Sequence, residues 1–191
     1  MKNPSNKITT LESLRGFLGI QAGVSEWDSI AIPYGVGDDW DDSYGWATVL
    51  IENGDPICER TVFHGGANIG NRSTASLMSV LHPITYITNK IGVSSAGGYK
   101  LHIVTSSKYL HKGLEINNPV WHSRMNKNRE LWMAIYAAKR RGVVIKPHLV
   151  PTGRVALRDL MSELAHKNKT LMGVPEDTIE NVYDINPQAN I

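Results

Sequence analysis

Two groups of residues in this 191-residue sequence have the types and spacing to do chemistry. The first is acidic. Asp38, Asp39, Asp41 and Asp42 lie within five positions, and Asp159 sits far along the chain. Carboxylates gathered in space can hold a divalent cation, because magnesium takes hard oxygen ligands. The same Asp-rich stretch also suits a solvated turn, where Asp bonds its own backbone. The second group is cationic and aromatic. Trp121 stands close to Arg124, Lys127 and Arg129, a set that suits phosphate contact together with base stacking. The seven histidines, at 64, 82, 102, 111, 122, 148 and 166, are scattered without a metal-ligand spacing. Gly65-Gly66 and Gly97-Gly98 lack the spacing and the following Lys-Ser/Thr of a phosphate-binding loop.

The elements that must position these groups can be read from periodicity. Thr9 and Glu12 form a capping box ahead of Leu11, Leu14, Phe17 and Leu18, predicting a short amphipathic helix over about 10–21. A strand is predicted at about 29–33. The stretch GVGDDWDDSYG has turn composition, and WATVLIE, NGDP and ICERTVFH read as a hairpin. GGANIGN reads as a loop. A long helix follows from about Ser73 to Lys90, with Pro83 expected to kink or split it. KLHIVT is a strand and SSKYLHKGL a short helix closed near Gly113. NRELWMAIYAAKRR is the strongest helix, ended by Gly142. VVIKPHLV is a strand, and VALRDLMSELAHKNK is a last helix. A three-strand meander followed by alternating helices and strands implies an α/β (α+β) mixed sheet with helices against its faces.

Composition bounds the rest. At 41% hydrophobic residues the chain can bury one real core, and no apolar run is long enough to span a membrane. The N-terminal stretch lacks the apolar core of a secretory signal, and Cys58 is the single cysteine, so an intracellular, cytoplasmic setting is expected. The N-x-S/T triplets at Asn71 and Asn168 are then chance matches. A net charge of +2 does not mark a strong nucleic-acid binder. The cations nevertheless gather in the second half while acids cluster early, a distribution that can create a positive face.

Several local words occur in an order that resembles ribonuclease H of the type that cuts RNA in RNA–DNA hybrids. Ser43-Tyr44-Gly45-Trp46-Ala47-Thr48-Val49-Leu50 resembles the opening of that family's second strand. Asn71-Arg72 resembles the pair before its first long helix. Val104-Thr105-Ser106-Ser107-Lys108-Tyr109-Leu110 and Lys112-Gly113-Leu114 resemble the end of its fourth strand and the short helix beyond. Trp121 and Lys127-Asn128-Arg129-Glu130-Leu131-Trp132 resemble the approach to its Asn-x-x-Leu-Trp helix, and Ser162-Glu163-Leu164-Ala165 its last helix. The resemblance implies a ribonuclease H-like fold, with a five-stranded mixed sheet in which the first strand pairs with the fourth. It implies a core over 29–168, an N-terminal extension over 1–28 and a C-terminal tail over 169–191.

That family cuts with two divalent metals ~4 Å apart, held by four carboxylates. Matched to this sequence, those positions fall on Gly35 (or Tyr34), Thr74, Ser106 and Ser162. None is a carboxylate. The family's loop histidine falls near Thr152-Gly153-Arg154, where no His stands. The resemblance therefore implies a catalytically inactive relative that needs no cofactor and binds RNA, an RNA–DNA hybrid or DNA. Trp121, Arg124, Lys127 and Arg129 would form its main contact, since they lie where many members carry a basic handle. One alternative is an assembly protein that uses the N-terminal helix and the tail for protein partners. Another is a working Mg2+-dependent nuclease with acids relocated to Asp38, Asp39 and Asp159. A diverged stand-alone domain of this kind suits a virus or phage.

Overall fold

The computed structural model describes Gly16 and residues 29–37, 43–52, 60–91, 99–116, 128–151, 158–170 and 183–184. The strands are β1 (Ser29–Gly37), β2 (Tyr44–Ile51), β3 (Arg60–Ala67), β4 (Lys100–Thr105), β5 (Val144–Leu149) and β6 (Tyr183–Asp184). The helices are α1 (Arg72–Ile91), α2 (Lys108–Glu115), α3 (Arg129–Arg140) and α4 (Arg158–Thr170). Apart from Gly16, which is helical and exposed, the predicted helix over 10–21 lies outside the described residues. So does the NGDP turn.

One mixed sheet runs in the order β5-β4-β1-β2-β3-β6. β1 pairs antiparallel with β2 and parallel with β4, the partner that the family resemblance implies for it, and β5 extends the sheet parallel to β4. The sheet has six strands where five were expected. The sixth is a two-residue piece of the C-terminal tail, paired with Thr61 and Val62 at the β3 edge.

β2 is buried along its whole length, which is why its sequence is nearly continuously apolar. Its alternate side chains serve two cores. Trp46 and Leu50 face α1, α2 and α3 together with Leu77, Ile84, Leu101 and Trp132. Ala47, Val49 and Ile51 face α4 with Ile30, Ile32, Met161 and Ala165.

Three expectations fail through close backbone approach. β1 continues to Gly37 rather than ending at 33, because its glycines let the first turn of α1 lie directly on the strand. A Cβ at Gly35 would stand 2.7 Å from the Ser76 nitrogen, and one at Gly37 would stand 2.3 Å from that of Arg72. Gly65 and Gly66 belong to β3 rather than to a loop. Gly65 makes room for the Trp46 indole and Gly66 for the Asn168 carbonyl of α4. Gly113 lies inside α2 rather than closing it, since a Cβ there would stand 2.1 Å from Cη2 of Trp132.

Pro83 neither splits nor ends α1, which runs unbroken from Arg72 to Ile91. Proline removes the N–H that would bond the carbonyl four residues earlier. That carbonyl, on Ser79, instead accepts the hydroxyl of Thr48 from β2.

Candidate functional site

The C-terminal ends of the parallel neighbours β1 and β4 open beside the first turns of α1 and α2. Both turns are fixed by side chains. Asn71 Oδ1 accepts from the backbone nitrogens of Ser73 (2.9 Å) and Thr74 (3.1 Å), and Ser107 Oγ accepts from Leu110 N at 3.3 Å. A pocket of about 300 Å³ lies between them. Tyr34, Arg72, Ser76, Ser106, Ser107 and Tyr109 are among its lining residues, and no carboxylate lines it among the described residues.

The positions singled out in the sequence take distinct places around this pocket. Gly35 faces the α1 backbone with no room for a side chain, so a carboxylate there would push α1 away. Its neighbour Tyr34 points to the other face, where its hydroxyl accepts a 3.2 Å hydrogen bond from Ser162 Oγ on α4. The Arg158 guanidinium lies 5.7 Å from the Tyr34 ring centre, a cation–π contact one turn before Ser162. Thr74 donates to Asn128 Oδ1 at 2.8 Å, tying the start of α1 to the residue before α3. Asn128 sits in the left-handed region at φ 61°. Ser106 is exposed at the mouth. Tyr34 and Ser162 are thus brought together, Ser106 shares the pocket with Tyr34, and Thr74 is engaged on the α3 side.

Of the relocated acidic set, Asp159 is 98% exposed and 3.9 Å from Arg158 Nη1. Asp38 and Asp39 lie outside the described residues, as do Trp121, Arg124 and Lys127. Arg129 is exposed at the first turn of α3. Among the described residues no three His, Cys, Asp or Glu side chains gather as a metal site. No described helix is long and apolar enough to cross a membrane.

Sequence reasoning did not single out Arg72, Ser76 or Arg158 as site residues. Arg72 appeared only inside the Asn-Arg word, and nothing in the spacing of Arg158 betrays its stacking on Tyr34, 124 positions away. Tyr109, which accepts the Trp132 indole N–H at 2.9 Å, could have been found only through the fold.

Neither a protein-family model nor a curated protein sequence matches the chain. Solved structures do. The N-terminal ribonuclease H domain of the Mycobacterium tuberculosis protein rv2228c, determined as a fusion with maltose-binding protein, matches 74% of this chain and 93% of its own at a TM-score of 0.56 and 12% identity. The chain has a ribonuclease H-like fold. Ribonuclease H1 of the archaeon Halobacterium salinarum (TM-score 0.52, 15% identity) is also similar, over 74% of this chain and 96% of that one. LC11 ribonuclease H1 in complex with an RNA/DNA hybrid matches with the same coverage at a TM-score of 0.52 and 14% identity.

The two-metal centre that this fold carries in the nuclease family can be tested against the donors present. Tyr34 and Ser106 on the pocket wall offer neutral hydroxyls, Thr74 and Ser162 lie outside its described lining, bonded to Asn128 and Tyr34, and Gly35 offers no side chain. Magnesium sheds its water reluctantly and is held by anionic oxygens. The described residues of the ribonuclease H-like pocket therefore do not fit a pair of magnesium ions. An arginine and a ring of hydroxyls instead suit an anion, which they can hold by hydrogen bonds.

Proposed function

We propose that this chain is a nucleic-acid-binding protein on a ribonuclease H-like scaffold, and that it holds a strand without cutting it. The observation that carries this reading is the Tyr34–Ser162 hydrogen bond, supported by the absence of any carboxylate from the described pocket lining. A cleaving site needs anionic ligands at these positions to hold its metals. Once the metals are gone, those same anions would repel the phosphates. Neutral groups remove the repulsion, and Tyr34, which accepts from Ser162, keeps its own proton to donate, as does Ser106. Arg72 at the pocket mouth, and Arg129 on α3 with Trp121, Arg124 and Lys127 before it in sequence, supply positive charge.

Two measurements test the reading. Electrophoretic shifts with hybrid, duplex and single strands over a salt series should show binding that weakens with salt. Incubating the purified chain with an RNA–DNA hybrid and Mg2+ or Mn2+ should leave the hybrid intact. Cleavage that disappears in Asp38→Asn/Asp39→Asn or Asp159→Asn would replace the proposal with a relocated nuclease centre. Failure to shift any nucleic acid at low salt would leave an assembly role, with the segments 1–28 and 169–191 as the contact regions.

A further inference from the structure

One face of the β4–β5 pair gathers basic side chains from both strands. Lys100 and His102 on β4, and Lys146 and His148 on β5, lie at alternate positions, and the register sets His102 beside Lys146 and His148 beside Val104. All four therefore share the face on which Val104 packs with Met161 of α4. Lys146 is exposed and the other three are part-exposed, since α4 packs over β1, β2 and β3. The two imidazoles are stacked with centres 5.1 Å apart, and His102 Nδ1 is 2.8 Å from His148 Nε2. Neither lysine has an ion pair or a side-chain hydrogen bond among the described residues.

The charges that face this corner are nearly all of one sign. β4 and β5 carry no carboxylate, and β1 carries no charged residue. Besides His102 and Lys146, the group acting on His148 through its charge is His111 of α2, itself 3.4 Å from Glu115. Burial first, and then these three basic groups, push the His148 pKa down to about 4. A metal ion would add to that repulsion, whereas an anion would relieve it.

Position narrows the ligand. His148 aligns with Val104, and Tyr34 is three residues beyond Ala31, which aligns with Ile103. Tyr34 and His148 are thus two strands apart and about two residues apart along the sheet, roughly 10–15 Å in all. Tyr34 lines the pocket and holds Arg158 against its ring on this same face. From there the basic groups continue through His148 and His102 to Lys146 and Lys100, with neighbours on one strand about 7 Å apart. A spaced row of basic groups that begins at the pocket suits a chain of phosphates. A lone anion would need one tight cluster, and an acidic peptide would have no tie to the pocket.

We infer that a nucleic-acid strand leaving the pocket runs across this face, with its phosphates on Lys100, Lys146 and the His102–His148 pair. The inference rests on the nucleic-acid reading of the pocket and gives the strand its path. His148 is neutral in the free chain at neutral pH, and a phosphate beside it favours its protonated form. The complex then holds more protons than the free chain, so affinity for a strand that crosses the face rises as pH falls.

Fluorescence anisotropy with labelled single strands of about 4 and about 15 nucleotides compares the pocket alone with the pocket and its flanks. Lys100→Gln/Lys146→Gln should leave the short strand's salt slope as it is and lower the long strand's by about 1.4, at about 0.7 per phosphate contact. From about pH 7.5 to 5.5 the long strand should bind progressively tighter, and His148→Gln should flatten that trend. In the unmodified chain the His148 imidazole resonances should shift with the long strand and not with the short one, a readout that needs no variant to fold. A chain that binds no nucleic acid removes the proposed function and this inference together. Binding with a long-strand slope unchanged in the lysine variant, or with His148 unmoved, keeps the proposed function and overturns the path. Polyglutamate that shifts His148 as the long strand does would also overturn it, in favour of an acidic protein partner.

Discussion

The hydroxyl of Thr48 on β2 donates to the backbone carbonyl of Ser79 on α1, the one carbonyl that Pro83 deprives of its helical partner. Both residues are fully buried, so that carbonyl has no water to turn to. Thr48→Val keeps the shape and removes the donor. It should destabilise the chain by about 1–3 kcal/mol, the cost of a buried orphan acceptor. In a Pro83→Ala background an N–H returns to Ser79, and the same change should cost much less. Denaturant unfolding of the four chains in this cycle checks it, and equal losses in both backgrounds would show that Thr48 acts by packing alone.

Gly45 marks where α4 rests on the sheet. A Cβ there would stand 1.9 Å from the Ala165 carbonyl and 2.8 Å from the Lys169 nitrogen, both backbone atoms. Gly45→Ala should therefore lift α4 and cost about 3 kcal/mol or more, above the usual range for an added methyl. The loss should appear as a lower midpoint in urea. A change under half that size would mean α4 is held less tightly than the Gly45 contact implies.

These two sites show what the sequence could and could not reveal. Element order was legible because β2, α1 and α3 carry strong apolar patterns and tertiary packing agrees with them, while the β1–β4 pairing was legible only through the family words. Strand ends were misread wherever glycine appeared, at Gly35, Gly37, Gly65 and Gly66. Glycine in a loop and glycine under a crossing helix look alike until the helix is placed. That Pro83 would leave α1 unsplit was illegible for a related reason, since the compensating donor is Thr48, 35 positions away. Ser106 and Ser162 were found as positions matching the family's words. The Tyr34–Ser162–Arg158 contact joins residues more than 120 apart in sequence and had no local mark.

His82 and His148 set an acid limit on stability. His82 is stacked on Trp46 at 4.4 Å, and burial pushes its pKa down to about 4. His148 is pushed to about 4 by burial and then by His102, whose Nδ1 lies 2.8 Å from its Nε2. Each is neutral in the folded chain and takes up a proton on unfolding below about pH 6.5. Stability should be full above that pH, fall as pH drops from about 6.5 towards 4, and level off below. For His82 the loss is on the order of 2–3 kcal/mol; His148 is more exposed and contributes less. His82→Gln should flatten part of this slope in urea unfolding at stepped pH, and an unchanged slope would assign it to other groups.

The cations proposed to meet phosphate can be counted by salt dependence. Each phosphate contact contributes about 0.9 to the slope of log affinity against log salt on a duplex. Arg72→Gln changes an exposed side chain at the pocket mouth and should lower the slope by about one. Arg124→Gln/Lys127→Gln/Arg129→Gln should lower it by about two to three. Trp121→Ala should weaken single-strand binding without changing the slope, since stacking releases no counterions. Slopes unchanged in both cation variants would remove these residues from the interface.

The neutrality of the pocket is itself open to test by putting one charge back. Ser106 is exposed at the pocket mouth and makes no hydrogen bond with its side chain among the described residues, so Ser106→Asp should fold normally. If phosphate enters this pocket without metal, the new carboxylate meets it as a like charge, and affinity should fall about tenfold in EDTA at low salt. Ser106→Asn has nearly the same size without the charge and should bind much as Ser106 does, which separates electrostatics from crowding. Adding Mg2+ should recover part of the loss in Ser106→Asp and change the original chain little, because only the variant gains an anionic ligand for the cation. Equal affinity of the Asp and Asn variants in EDTA would mean that no phosphate approaches this end of β4, and the hydroxyl ring would then be the remnant of a site rather than a working surface.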